Sequence, residues 1–259
     1  MKKHILRYAL LTACAAFAGL TASCTTFYGE PTTEYYSINN DYTKLDVSNA
    51  FKVTVSATAT KAEVTVPEEL HGKLKLEVKD GTLYIGFTRR IITSDKCTVV
   101  LPLNMQLEDL DLSGASSFTG NLHGTSSDIE VSGASTFEGD VAASKVDLEL
   151  SGSSSYKGVV NCDEAEVDIS GASKATIHGV CTGTMEIDVS GASDLHAIDF
   201  KTDAVTGELS GSSDADVTVC SSIAVNVSGS SELTYGTSSP ECHPDFRGTT
   251  SGSSSITPR

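Results

Sequence analysis

The sequence predicts an all-β parallel β-solenoid (β-helix) of about eight rungs of ~19 residues, preceded by an N-terminal β region acting as a cap. Three observations carry this expectation. The tetrapeptide Ser-Gly-(Ala/Ser)-Ser recurs at Ser113, Ser132, Ser151, Ser170, Ser190, Ser210, Ser228 and Ser251, in steps of 19, 19, 19, 20, 20, 18 and 23 residues. Apolar residues alternate with polar ones just before the first seven tetrapeptides, the period of a strand with one buried face. The composition agrees: among 259 residues there are 22 Gly, 6 Pro, 6% aromatics and no Trp, which speaks against an aromatic-rich core or a long-helix bundle. The balance of 18 basic against 34 acidic residues excludes a nucleic-acid role, because a polyanion is bound by clustered Lys and Arg.

Residues 1–23 read as an export signal. Lys2, Lys3 and Arg7 precede the apolar run Ala9 to Leu20, which is too short to span a bilayer. The run ends in Leu20-Thr21-Ala22-Ser23-Cys24, which resembles a bacterial lipoprotein cleavage box and would leave Cys24 as the lipidated N-terminus. Leu11-Thr12-Ala13-Cys14 is a competing box, but cutting there leaves a shorter apolar run; an ordinary signal peptide with a coincidental Cys is the other alternative. Loss of Lys2, Lys3 and Arg7 leaves 15 basic and 34 acidic residues, a net charge of −19. Residues 24–36 then read as lipidated Cys and flexible tether, with Gly29 and Pro31 and no hydrophobic period.

Residues 37–107 lack the tetrapeptide but keep a strand period. Phe51, Val53 and Val55 alternate, as do Leu74, Leu76 and Val78, then Leu83, Ile85 and Phe87, with Asp80-Gly81 as a hairpin turn. Such a region would blunt the exposed edge of the solenoid.

Residues 108–259 carry the repeats and a C-terminal closing coil. One and three residues before the first seven Ser lie apolar residues, with Gly207 the one exception, for instance Leu110 and Leu112, Ile129 and Val131, Leu148 and Leu150. Five residues after it come Phe118, Phe137, Tyr156, Ala175, Leu195, Ala215 and Leu233; seven after it come Gly120, Gly139, Gly158, Ile177, Ala197, Val217 and Tyr235. Where the first is aromatic the second is Gly, and where the first is Ala the second is Ile or Val, so both fill one limited interior. The recurrent Gly marks a corner that needs positive φ or has no room for Cβ. The last Ser of each tetrapeptide, Ser116 to Ser254, should stack as a hydroxyl ladder that satisfies polar groups at the corner; the alternative is a hydroxyl array for a ligand.

Cys162 and Cys181 both lie eleven residues after their repeat Ser, so stacking sets one above the other at ~4.8 Å, a Cα separation that a disulfide tolerates. Cys220 and Cys242 also fall on adjacent rungs. Both pairs are predicted as bridges in an oxidising exported compartment, which leaves Cys97 as a buried structural thiol. No His accompanies these cysteines at metal-ligand spacing.

Enzymatic chemistry finds no support in the sequence. His71, His123, His178, His196 and His243 occupy dissimilar places in the repeat without a recurrent carboxylate or Ser partner, and neither a phosphate loop nor a metalloprotease helix is present. The one unusual constellation is electrostatic. Four residues before the Ser lie Asp109, Asp128, Asp147, Glu166 and Glu186; two before it lie Asp111, Glu130, Glu149, Asp168, Asp188 and Glu208. These alternate with the buried positions and so form two outward acidic columns. Their plain reading is a solvated face that keeps rods soluble. Their functional reading is uptake of Ca2+ through carboxylate oxygens, or docking of a basic partner.

The strand Phe51-Lys52-Val53-Thr54-Val55, the hairpin Val78-Lys79-Asp80-Gly81-Thr82-Leu83-Tyr84-Ile85, and Leu110-Asp111-Leu112-Ser113-Gly114-Ala115-Ser116 with its repeats together resemble the putative auto-transporter adhesin family with the head GIN domain. The resemblance covers about Leu45 to the C-terminus and supplies no catalytic residues. It implies a non-enzymatic outer-membrane lipoprotein of the cell envelope, held to the membrane by its N-terminal lipid, that presents an extended β surface to carbohydrate or protein. The alternatives are a periplasm-facing structural or interaction module that binds Ca2+ or a basic partner with its acidic face, and, last, a β-helix polysaccharide-degrading enzyme.

Overall fold

A computed structural model of the chain describes residues 25–27, 29–89, 91–93 and 97–259. The export signal, residues 1–23, and Cys24 lie outside the described residues.

The chain winds as parallel turns stacked in register. The strands that precede the corners, Lys44–Val47, Asp109–Leu112, Ser126–Val131, Lys145–Leu150 and Glu164–Ile169, lie side by side, followed by the C-terminal parts of Lys174–Val189, Asp194–Leu209 and Asp214–Val227. Leu110 faces Ile129, Ile129 faces Leu148, Leu148 faces Val167, and Val167 faces Ile187. Each repeat alone has one apolar face and nothing to bury it against; the stack joins these faces into one core that runs from Tyr42 to Leu233.

The corners explain the tetrapeptide. Gly152 has φ +79°, and a Cβ built on it would stand 2.6 Å from the carbonyl oxygen of Gly133 one rung below, so both reasons for glycine hold there. The hydroxyl ladder is structural: Ser116 to Ser231 are buried, the Ser154 N–H and Oγ both donate to Ser173 Oγ at 3.3 Å, and Ser213 Oγ donates to Ser231 Oγ at 3.2 Å.

Phe118, Phe137 and Tyr156 stack one above the other, with ring centroids 5.8 and 5.0 Å apart. The glycines two residues later are required by more than ring volume. A Cβ on Gly139 would run into the carbonyl oxygen of Gly120, and one on Gly158 into that of Gly139, so backbone approaches backbone beside the rings. Where Ala175 replaces the ring, Ile177 fills the interior.

The N-terminal region adds to the stack before closing it. Lys44–Val47 pairs in register with Asp109–Leu112, and Phe51–Ser56 with Ser117–Thr119. Between them Ser48-Asn49-Ala50 stands for the tetrapeptide, with Asn49 and Ala50 at φ +66° and +61°. Thr82–Phe87 and Cys97–Pro102 form a further level. Closure comes from antiparallel strands: Leu74–Lys79 folds onto Thr82–Phe87 through the Asp80-Gly81 turn, Ala62–Pro67 onto Cys97–Pro102, and Pro31–Tyr36 onto Ala62–Pro67. The expected flexible tether is thereby corrected: Pro31–Tyr36 is a strand, fixed by pairing with the edge of Ala62–Pro67, which no reading of its own apolar pattern would indicate. At the other end Asp245–Phe246, Thr249–Thr250 and Ser255–Pro258 complete a last parallel turn.

Candidate functional site

The stacking turns the acidic residues into a rail. In one column Asp111 faces Glu130, then Glu149, Asp168, Asp188 and Glu208; in the other Asp109 leads to Asp128, Asp147, Glu166 and Glu186. The structure lengthens the first column by Asp46, which faces Asp111, and places Lys44 at the head of the second, opposite Asp109. Sequence reasoning missed both because Ser48-Asn49-Ala50 lacks the repeat glycine. The signal was present: Leu45-Asp46-Val47-Ser48 differs from Leu110-Asp111-Leu112-Ser113 only in the apolar exchange of Val47 for Leu112.

The electrostatics show the cost of this arrangement. Partial burial, and after it the neighbouring Asp111 carboxylate, raises the pKa of Asp46 above the usual carboxylate range. Asp111, Glu130, Asp147 and Asp168 are raised likewise, burial leading in each case and like charges on neighbouring rungs adding to it. Compensation is sparse: Lys44 opposes the shifts at the N-terminal end, and Lys145 pairs with Glu166 at 3.3 Å. Among the described residues no three His, Cys, Asp or Glu side chains converge as a metal site would need. The carboxylates stand in parallel along a flat sheet, whereas Ca2+ takes six to eight oxygens around one point. The face therefore suits extended contact with positive charge better than capture of single ions.

Of the two expected disulfides, Cys220–Cys242 forms, with a Cα–Cα distance of 4.6 Å. The other is corrected. Cys162 and Cys181 face each other in register, yet both are buried thiols. Neighbours in register on parallel strands project their Cβ atoms the same way, about 4.8 Å apart, beyond the roughly 3.5–4.5 Å of a cystine. Cys242 escapes this restriction because it lies in the irregular stretch between Thr237 and Asp245. The interaction of the two facing thiols, with burial adding, raises the pKa of Cys162, and the same interaction lowers that of Cys181.

His71, His178 and His196 have carboxylate neighbours that sequence spacing obscured. His196 Nδ1 lies 2.9 Å from Asp216 Oδ2, and Asp216 Oδ1 accepts the N–H groups of Ala197 and Ile198 at 2.9 Å. His178 Nδ1 stands 3.5 Å from Asp199 Oδ2, and His71 Nδ1 3.6 Å from Glu34 Oε2. Asp199 and His196 share the strand Asp194–Leu209, yet among the described residues no three His, Cys, Asp or Glu side chains gather there. The hydrogen bond that His196 makes among the described residues goes to Asp216, so the pair reads as a clasp between rungs.

A second surface feature escaped the sequence reading: an apolar groove of about 490 Å3 lined by Tyr42, Val55, Leu101, Leu103, Met105 and His123, among others. Leu103 and Met105 are 49% and 61% exposed, although Asn104 between them is anchored by donating to Tyr42 O at 2.7 Å and accepting from Gln106 N–H at 2.9 Å. Among the described residues no helix is long and apolar enough to cross a membrane.

Comparison with known proteins follows the same lines. A family model described as "Putative auto-transporter adhesin, head GIN domain" matches residues 41–238. No curated protein matches the sequence. Among solved structures, a putative adhesin from Parabacteroides merdae is similar with TM-score 0.80 at 18% identity, over 91% of this chain and 98% of that one. A putative adhesin from Parabacteroides distasonis gives 0.72 at 23%, over 90% and 99%, and a putative lipid binding protein from the same organism 0.67 at 19%, over 91% and 99%.

Proposed function

Since the chain belongs to the putative auto-transporter adhesin family with the head GIN domain, we propose that it is a non-enzymatic, lipid-anchored protein of the cell envelope whose acidic rail is the contact face for a basic protein partner. The observation that carries this reading is the in-register run of carboxylates from Asp46 to Glu208 on one outward face, half-buried at Asp46, Asp111 and Asp168 and exposed at the others. Such a run repels itself, and a surface of basic side chains at matching intervals relieves that repulsion on contact. Charge complementarity of this kind steers association and makes it sensitive to salt. Attachment through Cys24 would leave the folded rod free of the membrane, and the same sequence serves an outward-facing or a periplasm-facing location.

The test is an array of host proteins, cell-envelope proteins and glycans probed with the domain lacking its acyl group, so that aggregation does not imitate binding. The expected result is capture of basic proteins that weakens from 50 to 500 mM salt and is lost when Asp147, Asp168 and Asp188 are changed together to Asn. Binding that survives this triple change refutes the rail as the contact face, and turnover of any glycan refutes the non-enzymatic reading. Protease shaving of intact cells separates surface display from a periplasmic position.

A second reading rests on the groove beside Leu103 and Met105, whose apolar wall and anchored rim suit an aliphatic ligand. One of the similar structures is a putative lipid binding protein. Displacement of a fluorescent fatty acid, abolished by Met105→Asp, is the outcome that supports it.

A further inference from the structure

Cys162 and Cys181 are placed by the fold in a relation that excludes one chemistry and fits another. They are in-register neighbours on parallel strands and both are buried, and the Cys181 thiol donates to Asp163 O at 3.3 Å and to Thr184 O at 3.5 Å. A disulfide would need the sulfurs drawn to about 2.05 Å from Cβ atoms that point the same way. Two metal–thiolate bonds of about 2.3 Å placed end to end span about 4.6 Å, close to the inter-strand spacing of about 4.8 Å. A bridging ion therefore fits where a direct sulfur–sulfur bond does not.

The surroundings limit which ion. Among the described residues no third His, Cys, Asp or Glu joins the pair, so a tetrahedral zinc site or an oxygen-rich site cannot be completed. Above Cys181 in the stack stands Thr202, whose hydroxyl already donates to Gly183 O at 2.9 Å and Ala204 O at 3.1 Å. Beneath Cys162, continuing the pairing of Ala142 with Asn161, comes the small Ala143. An open groove of about 480 Å3, bordered by Ser144, Asp163 and Thr182, gives solvent access at Cys162. Two sulfur ligands, linear and shielded, are the preference of a soft monovalent ion.

We infer that Cys162 and Cys181 together bind one soft monovalent d10 metal ion, of the Cu(I) or Ag(I) class, in two-coordinate geometry. Binding replaces two S–H bonds by two metal–sulfur bonds, releases two protons to solvent and changes no oxidation state. The strong negative charge of the chain favours the approach of a cation.

The experiment uses the purified protein with its Cys220–Cys242 disulfide intact and Cys162 and Cys181 as thiols, in chloride-free buffer with Ag+ alone as probe, read by native mass spectrometry under chelator competition and by thermal melting. One Ag+ per chain is expected, with a raised Tm and an affinity at least a hundredfold above that of Cys162→Ser or Cys181→Ser; Cys97→Ser should bind as the parent does. The double variant Cys162→Ala/Cys181→Ala, which places in this column the residue type already present at Ala143, should fold and bind no Ag+. Retention of Ag+ by that double variant overturns the assignment, as does failure of the parent to hold Ag+. A Cys162–Cys181 cystine in a non-reducing peptide map of protein taken from cells overturns it as well.

Discussion

Changing Asp168 to Asn should stabilise the protein at neutral pH. Asp168 stands between Glu149 and Asp188 in its column, and among the described residues no hydrogen bond ties its carboxylate to the corner. At a separation of about 4.8 Å each vertical neighbour repels it by about 0.9 kcal/mol in a medium as polar as water. The group is largely solvated, so salt discounts this; at 0.1 M the Debye length of about 10 Å leaves about 1 kcal/mol for the two neighbours together. For a chain of this size that is a rise in Tm of about 2–4 °C. The pH dependence has a definite sign. Burial, followed by Asp188 and the other nearby carboxylates, raises the folded-state pKa of Asp168. A carboxyl raised in the folded state contributes stability that is complete below its unfolded pKa and is lost as pH rises through the folded value. The advantage of Asn over Asp is therefore greatest at pH 7, shrinks through the window above the ordinary Asp value of about 3.9, and vanishes below it. Differential melting of the two proteins from pH 3 to 7, at low salt and at 1 M salt, reads this directly. A Tm difference at pH 7 that is zero, negative or indifferent to salt refutes the reasoning that the column is under repulsive load.

Four further outcomes follow from the packing. Gly139→Ala should lose about 3 kcal/mol or more, because the new Cβ collides with the backbone of Gly120 and only separation of two rungs relieves it, whereas Gly72→Ala, with open space around it, should leave the Tm within about a degree. Ser127→Ala should gain about 1 kcal/mol in chemical denaturation, since the Ser127 hydroxyl is buried without a hydrogen-bond partner among the described residues. Ser173→Ala should cost about 1–3 kcal/mol, leaving the buried Ser154 N–H and Oγ without their acceptor. The double change Cys220→Ser/Cys242→Ser opens a link across 22 residues, should cost about 3 kcal/mol, and should make the last turn the first segment cut in limited proteolysis.

The repeats made the fold legible because the tetrapeptide fixes a corner and the alternation fixes which face is buried; together they fix register, and register alone places the carboxylates, the serines and Cys162 opposite Cys181. Register was not enough for the disulfide. Whether two stacked cysteines bond depends on the direction of their Cβ atoms, which spacing along the chain does not express. The N-terminal level was hidden for a different reason: Asn49 and Ala50 adopt the left-handed conformation that glycine takes elsewhere, so the search motif disappears while the geometry survives. Lys44 and Asp46 at the head of the rail were lost with it. The groove depends on the exposed loop Leu103–Gln106 meeting the corner at Gly120 and Gly139, a tertiary contact with no period to announce it. Pro31–Tyr36 likewise owes its strand to a neighbour's edge.

The stacked register has a consequence for how such a molecule changes over generations. Every interior level offers the same upper and lower face, so gain or loss of one repeat inserts or removes a storey and leaves both ends intact. Each storey adds about 4.8 Å of height and, where its strand follows Asp-x-Asp or Glu-x-Asp as at Asp109 and Glu166, two negative charges. Reach and valence can thus drift by whole units while foldability is inherited unchanged.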